Sequence, residues 1–347
     1  MHSHTGIGLG EGSTDKLIVE ITLNKSTRTR WEKTRVLIID EISMIHRDLF
    51  DKLENIARAV RKNDKPFGGI QMIITGDFFQ LPPIRKKNES GDIPIYAFNA
   101  KTWNTVIDYT FVLKQVFRQT DDVFVKVLEE TRIGELSQHS NDILSSLNRP
   151  LDLPPGVKPV KLLSKVVDVD NANYDELNKL TTELHTFKAG DSGTIGLLKD
   201  CRYPPVLNLK VGAQVVLLKN MPLQNLVNGS IGIVKDFYEG YPSVVFSNGI
   251  EIVLYEEDWN IEDGHGRVIA IRKQIPVSLA YAFTIHKCQG LTLEYALISF
   301  NGMFEFAQAY VALSRVKKLN NLMLTGFNPN CIKADPKVIA YYKELQK

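Results

Sequence analysis

The stretch that most constrains this chain is Arg35–Ser43, RVLIIDEIS, in which an unbroken apolar run, Val36 to Ile39, leads straight into two carboxylates, Asp40 and Glu41. An apolar run without alternation predicts a strand buried on both faces, as in a parallel sheet covered by helices. In such sheets ligands sit beyond the carboxyl ends of the strands. The run would therefore carry Asp40 and Glu41 to a binding rim. A hard cation takes oxygen ligands and an attacking water needs a base, so the pair suits a magnesium–nucleotide site. It equally suits a solvated acidic turn, and these residues alone do not separate the two.

Ile70–Pro83, IQMIITGDFFQLPP, is a second β-rich apolar run, ending in Gly76-Asp77 and followed by Gln80. Between the runs, Asp48–Lys62 places Leu49, Leu53, Ile56, Ala57 and Val60 on one face and charges on the other, which predicts a helix. Strand, helix and strand make a βαβ unit. Gln80 would then stand near Asp40 and Glu41, within reach of a terminal phosphate or its water.

DEIS followed by GDFFQLPP resembles motifs II and III of the Pif-type DNA helicases, a superfamily-one group that moves 5′ to 3′. The resemblance implies an α/β fold of two RecA-like P-loop NTPase lobes, the first incomplete, with a small SH3-like β-barrel inserted in the second. The implied bounds are 1–115 for the first lobe, 116–199 with 267–347 for the second, and 200–266 for the barrel. Three further segments follow in family order. VFRQTDDVFVKVLEETRIG resembles motif IV and the signature segment, with Arg118 at the exit of a third β-rich run, Tyr109–Leu113, and ahead of a helix at Asp122–Arg132. The stretch carrying His286, Lys287, Gln289 and Gly290 resembles motif V, with Cys288 where a small Ser is common. Phe306–Arg315, FAQAYVALSR, resembles motif VI, a helix ending in Arg315.

By that resemblance Asp40 and Glu41 hold Mg²⁺ and Glu41 activates water. Gln80 senses the γ-phosphate of ATP, and Arg118 and Arg315 reach it from the second lobe. Gln289 and Gly290 line the nucleotide, while His286, Lys287, Gln308, Tyr310, Ser314 and Lys317 contact DNA. The implied partners are single-stranded DNA and DNA junctions, with no membrane; the implied state is a monomer in the nucleus or mitochondrion. Phe78, Phe79 and Trp103 read either as base stackers or as core.

The remaining chain is read from its residues. Within 200–266, the runs QVVLLKN, SIGIVKDFY, SVVFSNG and EIVLY alternate with turn signals such as Asn228-Gly229 and Asn248-Gly249, predicting a small antiparallel barrel or sandwich. The spaced glycines Gly6, Gly8, Gly10 and Gly12 mark a turn-rich segment, which resembles a DNA-touching segment of the family. The cations Lys25, Arg28, Arg30, Lys33 and Arg35 could contact phosphates, but read more readily as a solvated helix face. Arg85, Lys86 and Lys87 lie in a polar connector, PLDLPPGVKP is a Pro-rich linker, and the tail ADPKVIAYYKELQ is an amphipathic helix that packs.

A net charge of +2 neither requires nor excludes a nucleic-acid partner. Cys201, Cys288 and Cys331 show no metal-ligand spacing and read as reduced thiols of an intracellular protein. No apolar run reaches the roughly 20 residues that span a bilayer. No phosphate-binding loop of the form G-x-x-x-x-G-K-S/T occurs in the 347 residues. With the other catalytic positions intact, the expectation is an N-terminally incomplete member of the family. The rival readings are a catalytically dead DNA-binding remnant and a RecD-like helicase subunit.

Overall fold

The structure, a computed structural model, describes residues 12–83, 95–153, 158–262 and 267–345. Gly6, Gly8 and Gly10, the Arg85-Lys86-Lys87 connector and the middle of the Pro-rich linker lie outside the described residues.

The first lobe is built from α1 (Thr14–Leu23), α2 (Lys25–Lys33), β1 (Val36–Ile39), α3 (Arg47–Arg61), β2 (Gln71–Ile74) and the short α4 (Trp103–Val106). Ser13 and Asn24 cap α1 and α2 through their side chains. β1 and β2 pair in parallel, Val36 against Gln71 through Ile39 against Ile74, and α3 is the crossover between them. Phe50, Leu53, Ile56, Ala57 and Val60 of α3 are buried in the lobe's core with Leu37 and Ile39. One arginine gathers the lobe: Arg61 donates from Nη1 to the carbonyls of Trp31, Glu32 and Thr34 and from Nε to that of Gly68.

Two expectations are corrected here. β1 is covered on one face only, since Val36 and Ile38 are 44% and 61% exposed while Leu37 and Ile39 are buried. The described sheet has two strands and a single helical layer, so burial alternates even though the sequence does not. Tyr109–Leu113 forms no strand, and Tyr109, Phe111 and Leu113 are almost fully exposed. No described strand lies beside the run to take its backbone hydrogen bonds.

The second lobe opens with α5 (Asp122–Ile133), α6 (Gln138–Ser146), β3 (Val160–Leu163) and α7 (Val166–Asn178). The antiparallel insertion follows as β4 (His185–Lys188), β5 (Gly190–Gly193), β6 (Val206–Leu209), β7 (Gln214–Leu217), β8 (Ile231–Tyr238), β9 (Tyr241–Phe246), β10 (Glu251–Val253), β11 (Glu257–Glu262), β12 (Val268–Gln274) and β13 (Val277–Leu279). Its main sheet runs β10-β9-β8-β7-β13, flanked by the sheets β11-β12-β5 and β4-β6. It therefore extends beyond the expected 200–266 on both sides. Strands before residue 200 pair with strands after it, and Arg272 of β12 grips Asp191 of β5 through two hydrogen bonds.

The chain then returns through β14 (Ala282–Thr284), β15 (Ala296–Ser299), α8 (Gln308–Leu313), β16 (Leu322–Thr325) and α9 (Pro336–Leu345). β14, β3, β15 and β16 form one parallel sheet in that order, bringing both halves of the second lobe together around the insertion. The tail helix α9 does not stay with that lobe. Val338, Ile339, Tyr341 and Tyr342 pack into the first lobe's core, where Tyr341 stacks on Phe98 at 4.3 Å and Tyr342 on Phe79 at 4.8 Å.

Inside the second lobe, Glu176 of α7 accepts from Lys158, Lys161 and Lys179. Burial opposes its charge, but the three ammonium groups outweigh burial and hold its carboxyl down at about 2. A depressed folded-state value means this stabilisation is complete above the ordinary glutamate range and is lost as pH falls toward 2. Thermal melts from pH 6 down to pH 2.5 should therefore fall less steeply in Glu176→Gln than in the parent. Parallel curves would show that the cluster contributes nothing.

Candidate active site between the lobes

The carboxyl ends of β1 and β2 define the first wall. Ile42 N–H donates to the Thr75 carbonyl at 3.0 Å, holding the two strand exits together. Gly76 permits this: its φ is +142°, and a Cβ there would lie 2.8 Å from Ile42 N. Asp40 is exposed, and its Oδ1 accepts from Glu41 N–H and from the Thr75 hydroxyl. No hydrogen bond engages Oδ2 among the described residues. Glu41 takes a left-handed conformation, φ +54° and ψ +48°, which costs a residue with a Cβ about 1–2 kcal/mol. Such strain concentrates where a side chain must be aimed.

The second wall comes from the other lobe. Gln289 Nε2 donates to Glu41 Oε2 at 2.9 Å, and Gly290 lies beside the same carboxylate, its notional Cβ 3.9 Å from Glu41 Oε1. Arg118 donates from Nη1 to the Ser314 carbonyl at 3.1 Å. Arg315 is buried, donating to the Val311 carbonyl and Ser314 Oγ at 2.8 Å each. Burial pushes the Arg315 pKa down, the positive charge of Arg118 pushes it further, and Glu41 pulls it back. Arg118 and Glu41 thus both act electrostatically on the Arg315 guanidinium.

Gln80 stands on the turn after β2, its Oε1 buried without a hydrogen-bond partner among the described residues. Its neighbours belong to different cores: Phe78 and Phe79 pack in the first lobe, Leu81 in the second. Phe78, Phe79 and Trp103 are all buried, which settles the choice between stackers and core in favour of core.

The residues expected to meet DNA divide. Lys287 and Lys317 are exposed, and His286 is partly so, its Nε2 3.1 Å from Glu305 Oε2. Gln308 is fully buried and its Oε1 accepts from the Phe304 and Glu305 N–H groups, so it caps a turn and offers nothing to a strand. Ser314 is buried at the end of α8 and donates to the Val311 carbonyl. Tyr310 lies at the lobe boundary, where burial pushes its hydroxyl up to about 12 beside Asp77 and three arginines. For Gln308 and Ser314 the DNA-contact expectation is corrected: both are buried, and their side-chain oxygens are taken up by backbone groups of the helix and the turn before it.

The sequence reading gave no role to Asp77, Arg132 or Tyr342, yet these join the lobes. Arg132 binds both oxygens of Asp77 at 2.9 Å, and Tyr342 Oη donates to Oδ1 at 3.1 Å. The available signal was Asp77 itself, a carboxylate at a strand exit with no assigned partner.

The donor set at Asp40 fits Mg²⁺, since one carboxylate oxygen is fixed and the other is free to meet a hard cation or its water shell. Among the described residues no cluster of three His, Cys, Asp or Glu side chains could hold a metal, so any cation here would complete its shell from substrate and solvent. No described helix is long and apolar enough to cross a membrane.

A family model described as PIF1-like helicase matches residues 1–145, and one described as the DNA helicase Pif1 2B domain matches residues 198–237. The chain is 39% identical to the ATP-dependent DNA helicase PIF1 of Emericella nidulans, over 99% of this chain and 54% of that protein. It thus spans about half the length of the curated relatives it matches. The solved Pif1 helicase of Candida albicans superposes with a TM-score of 0.89 at 38% identity, covering 99% of this chain and 84% of that one. A Bacteroides Pif1 helicase in complex with ADP-AlF3 and single-stranded DNA superposes with a TM-score of 0.73 at 29% identity, covering 93% and 78%.

Proposed function

Because the chain belongs to the PIF1-like helicase family, with the two RecA-like lobes of its solved members, we propose that the full-length protein is an ATP-dependent DNA helicase moving 5′ to 3′ along single-stranded DNA. The observation that carries this reading is the Glu41–Gln289 hydrogen bond across the lobes, with Arg118 and Arg315 on the same second-lobe wall, both bonded to Ser314. A nucleoside triphosphate bound there would touch both lobes, and its hydrolysis would change how they sit.

Each side chain then has a task. Glu41 accepts the proton of the attacking water, and its strained backbone aims the carboxylate into the boundary. Gln80 offers its amide to the γ-phosphate. Arg118 neutralises charge developing in transfer. Arg315 joins it only by giving up its bonds to Ser314 Oγ and Val311, so it responds to a change in the lobes. Gly290 leaves room for substrate beside Glu41. Asp40 would hold Mg²⁺ through its free oxygen or an intervening water, and the cation would supply positive charge against the β- and γ-phosphates.

His286, Lys287 and Lys317 are the proposed contacts to single-stranded DNA and junctions, supported by their exposure. A monomer working in the nucleus or mitochondrion completes the reading, and the insertion's five-stranded antiparallel sheet supports an SH3-like assignment. The test is a helicase assay of the full-length protein with ATP and Mg²⁺ on forks carrying a 5′ or a 3′ tail. Unwinding of the 5′-tailed fork with DNA-stimulated ATP hydrolysis is expected. Absence of DNA-stimulated hydrolysis would overturn the proposal.

A further inference from the structure

The turn Asp77–Gln80 is held from three directions. Within itself, Gln80 N–H donates to the Asp77 carbonyl at 2.9 Å and Phe79 N–H to Asp77 Oδ1 at 3.1 Å. From the second lobe, Arg132 in the last turn of α5 donates Nε to Oδ2 and Nη2 to Oδ1 of Asp77. From the tail helix, Tyr342 Oη donates to Oδ1 and accepts the Phe78 N–H at 3.3 Å. The guanidinium carbon of Arg132 lies 4.4 Å from the centre of the Phe79 ring, which itself stacks on Tyr342.

These contacts cross the lobe boundary. Phe124, Val127 and Leu128 fix α5 in the second lobe's core, so Arg132 travels with that lobe. Phe78, Phe79 and Tyr342 belong to the first core, and Leu81 to the second. Gln80 lies at the crossing, and its buried Oε1 lacks a hydrogen-bond partner among the described residues. The same helix, α5, begins four residues after Arg118 and carries Arg132 in its last turn, so it links one proposed phosphate ligand to the clamp on another.

We infer that Arg132 and Tyr342 are positioning residues, which set Gln80 against the nucleotide through Asp77 and pass movement of the second lobe to it. The inference rests on the nucleotide-cleft reading above. A paired, planar guanidinium suits the task, because two parallel hydrogen bonds fix orientation as well as distance, and a lysine cannot reproduce them. Small misplacement of a reacting group is costly to kcat.

The experiment uses the full-length protein, with steady-state ATPase on saturating single-stranded DNA. Arg132→Lys and Tyr342→Phe are compared with Gln80→Ala and with each double variant. Tyr342→Phe removes one hydroxyl and keeps the stacked ring, so it remains informative should Arg132→Lys fold poorly. Each variant is expected to lower kcat by about fivefold to tenfold with KM for ATP within about twofold. In the Gln80→Ala background neither should lower kcat further, because the residue they act through is gone. Losses that multiply in the double variants, or a fall in melting temperature with kcat unchanged, would overturn the inference. A parent protein with no DNA-stimulated ATPase would sink both this inference and the reading it rests on, whereas an active parent with multiplicative variants sinks only this one.

Discussion

Glu41→Gln in the full-length protein is expected to lower DNA-stimulated ATP turnover by about 10²–10⁴-fold while leaving ATP affinity nearly unchanged. The substitution keeps the side chain's size and one of its acceptor oxygens, so Gln289 Nε2 retains a partner. The backbone is held independently, by Ile42 N–H on the Thr75 carbonyl and Met44 N–H on that of Glu41. What disappears is the capacity to take a proton from water. Phosphate release and titration with a fluorescent ATP analogue separate the two quantities. Loss of binding together with turnover would mean that Glu41 supports the fold and performs no chemistry.

Where a local pattern decided the structure, the sequence was legible. The 3.6-residue spacing across Asp48–Lys62 marked α3 to within a residue of Arg47–Arg61, and the two apolar runs marked β1 and β2. Of the acidic pair at the end of β1, Glu41 meets Gln289 of the second lobe, while Asp40 bonds within the first. Burial was less legible. Four apolar residues in a row read as a doubly covered strand, yet Ile38 is exposed, because what lies over a strand is a tertiary fact. Tyr109–Leu113 has strand composition and no strand beside it, so propensity alone did not order it.

Side-chain roles were hardest to read where a polar residue sits on a buried helix. Gln308 and Ser314 fall in a segment tied to DNA by resemblance, but they are buried and their side-chain oxygens close backbone groups of α8 and the turn before it. Sequence order also misassigned α9. It follows the second lobe in the chain, yet its apolar face, Val338, Tyr341 and Tyr342, is complementary to Phe78, Phe79 and Phe98 of the first. Sequence position does not encode aromatic complementarity across some 260 residues, as the Phe78–Tyr342 separation of 264 illustrates.

Arg118→Ala is expected to lower kcat by about 10³-fold or more, the range lost when a charge-stabilising arginine is removed from phosphoryl transfer. Arg118 is the cleaner of the two arginines to test. Its described hydrogen bond is a single one to the Ser314 carbonyl, so its removal leaves the lobes standing. Arg315→Ala would instead empty a buried volume and strip donors from Val311 and Ser314, mixing stability with catalysis. Arg118→Lys should recover little, because an ammonium cannot span two phosphate oxygens as a guanidinium does. The discriminating measurement is affinity for ADP with aluminium fluoride against affinity for ADP alone. A residue that acts in transfer should weaken the first far more than the second, since only the first carries the geometry and charge of the transferring group. Equal weakening would make Arg118 a ground-state ligand, and no weakening would remove the second lobe's hand from the phosphate.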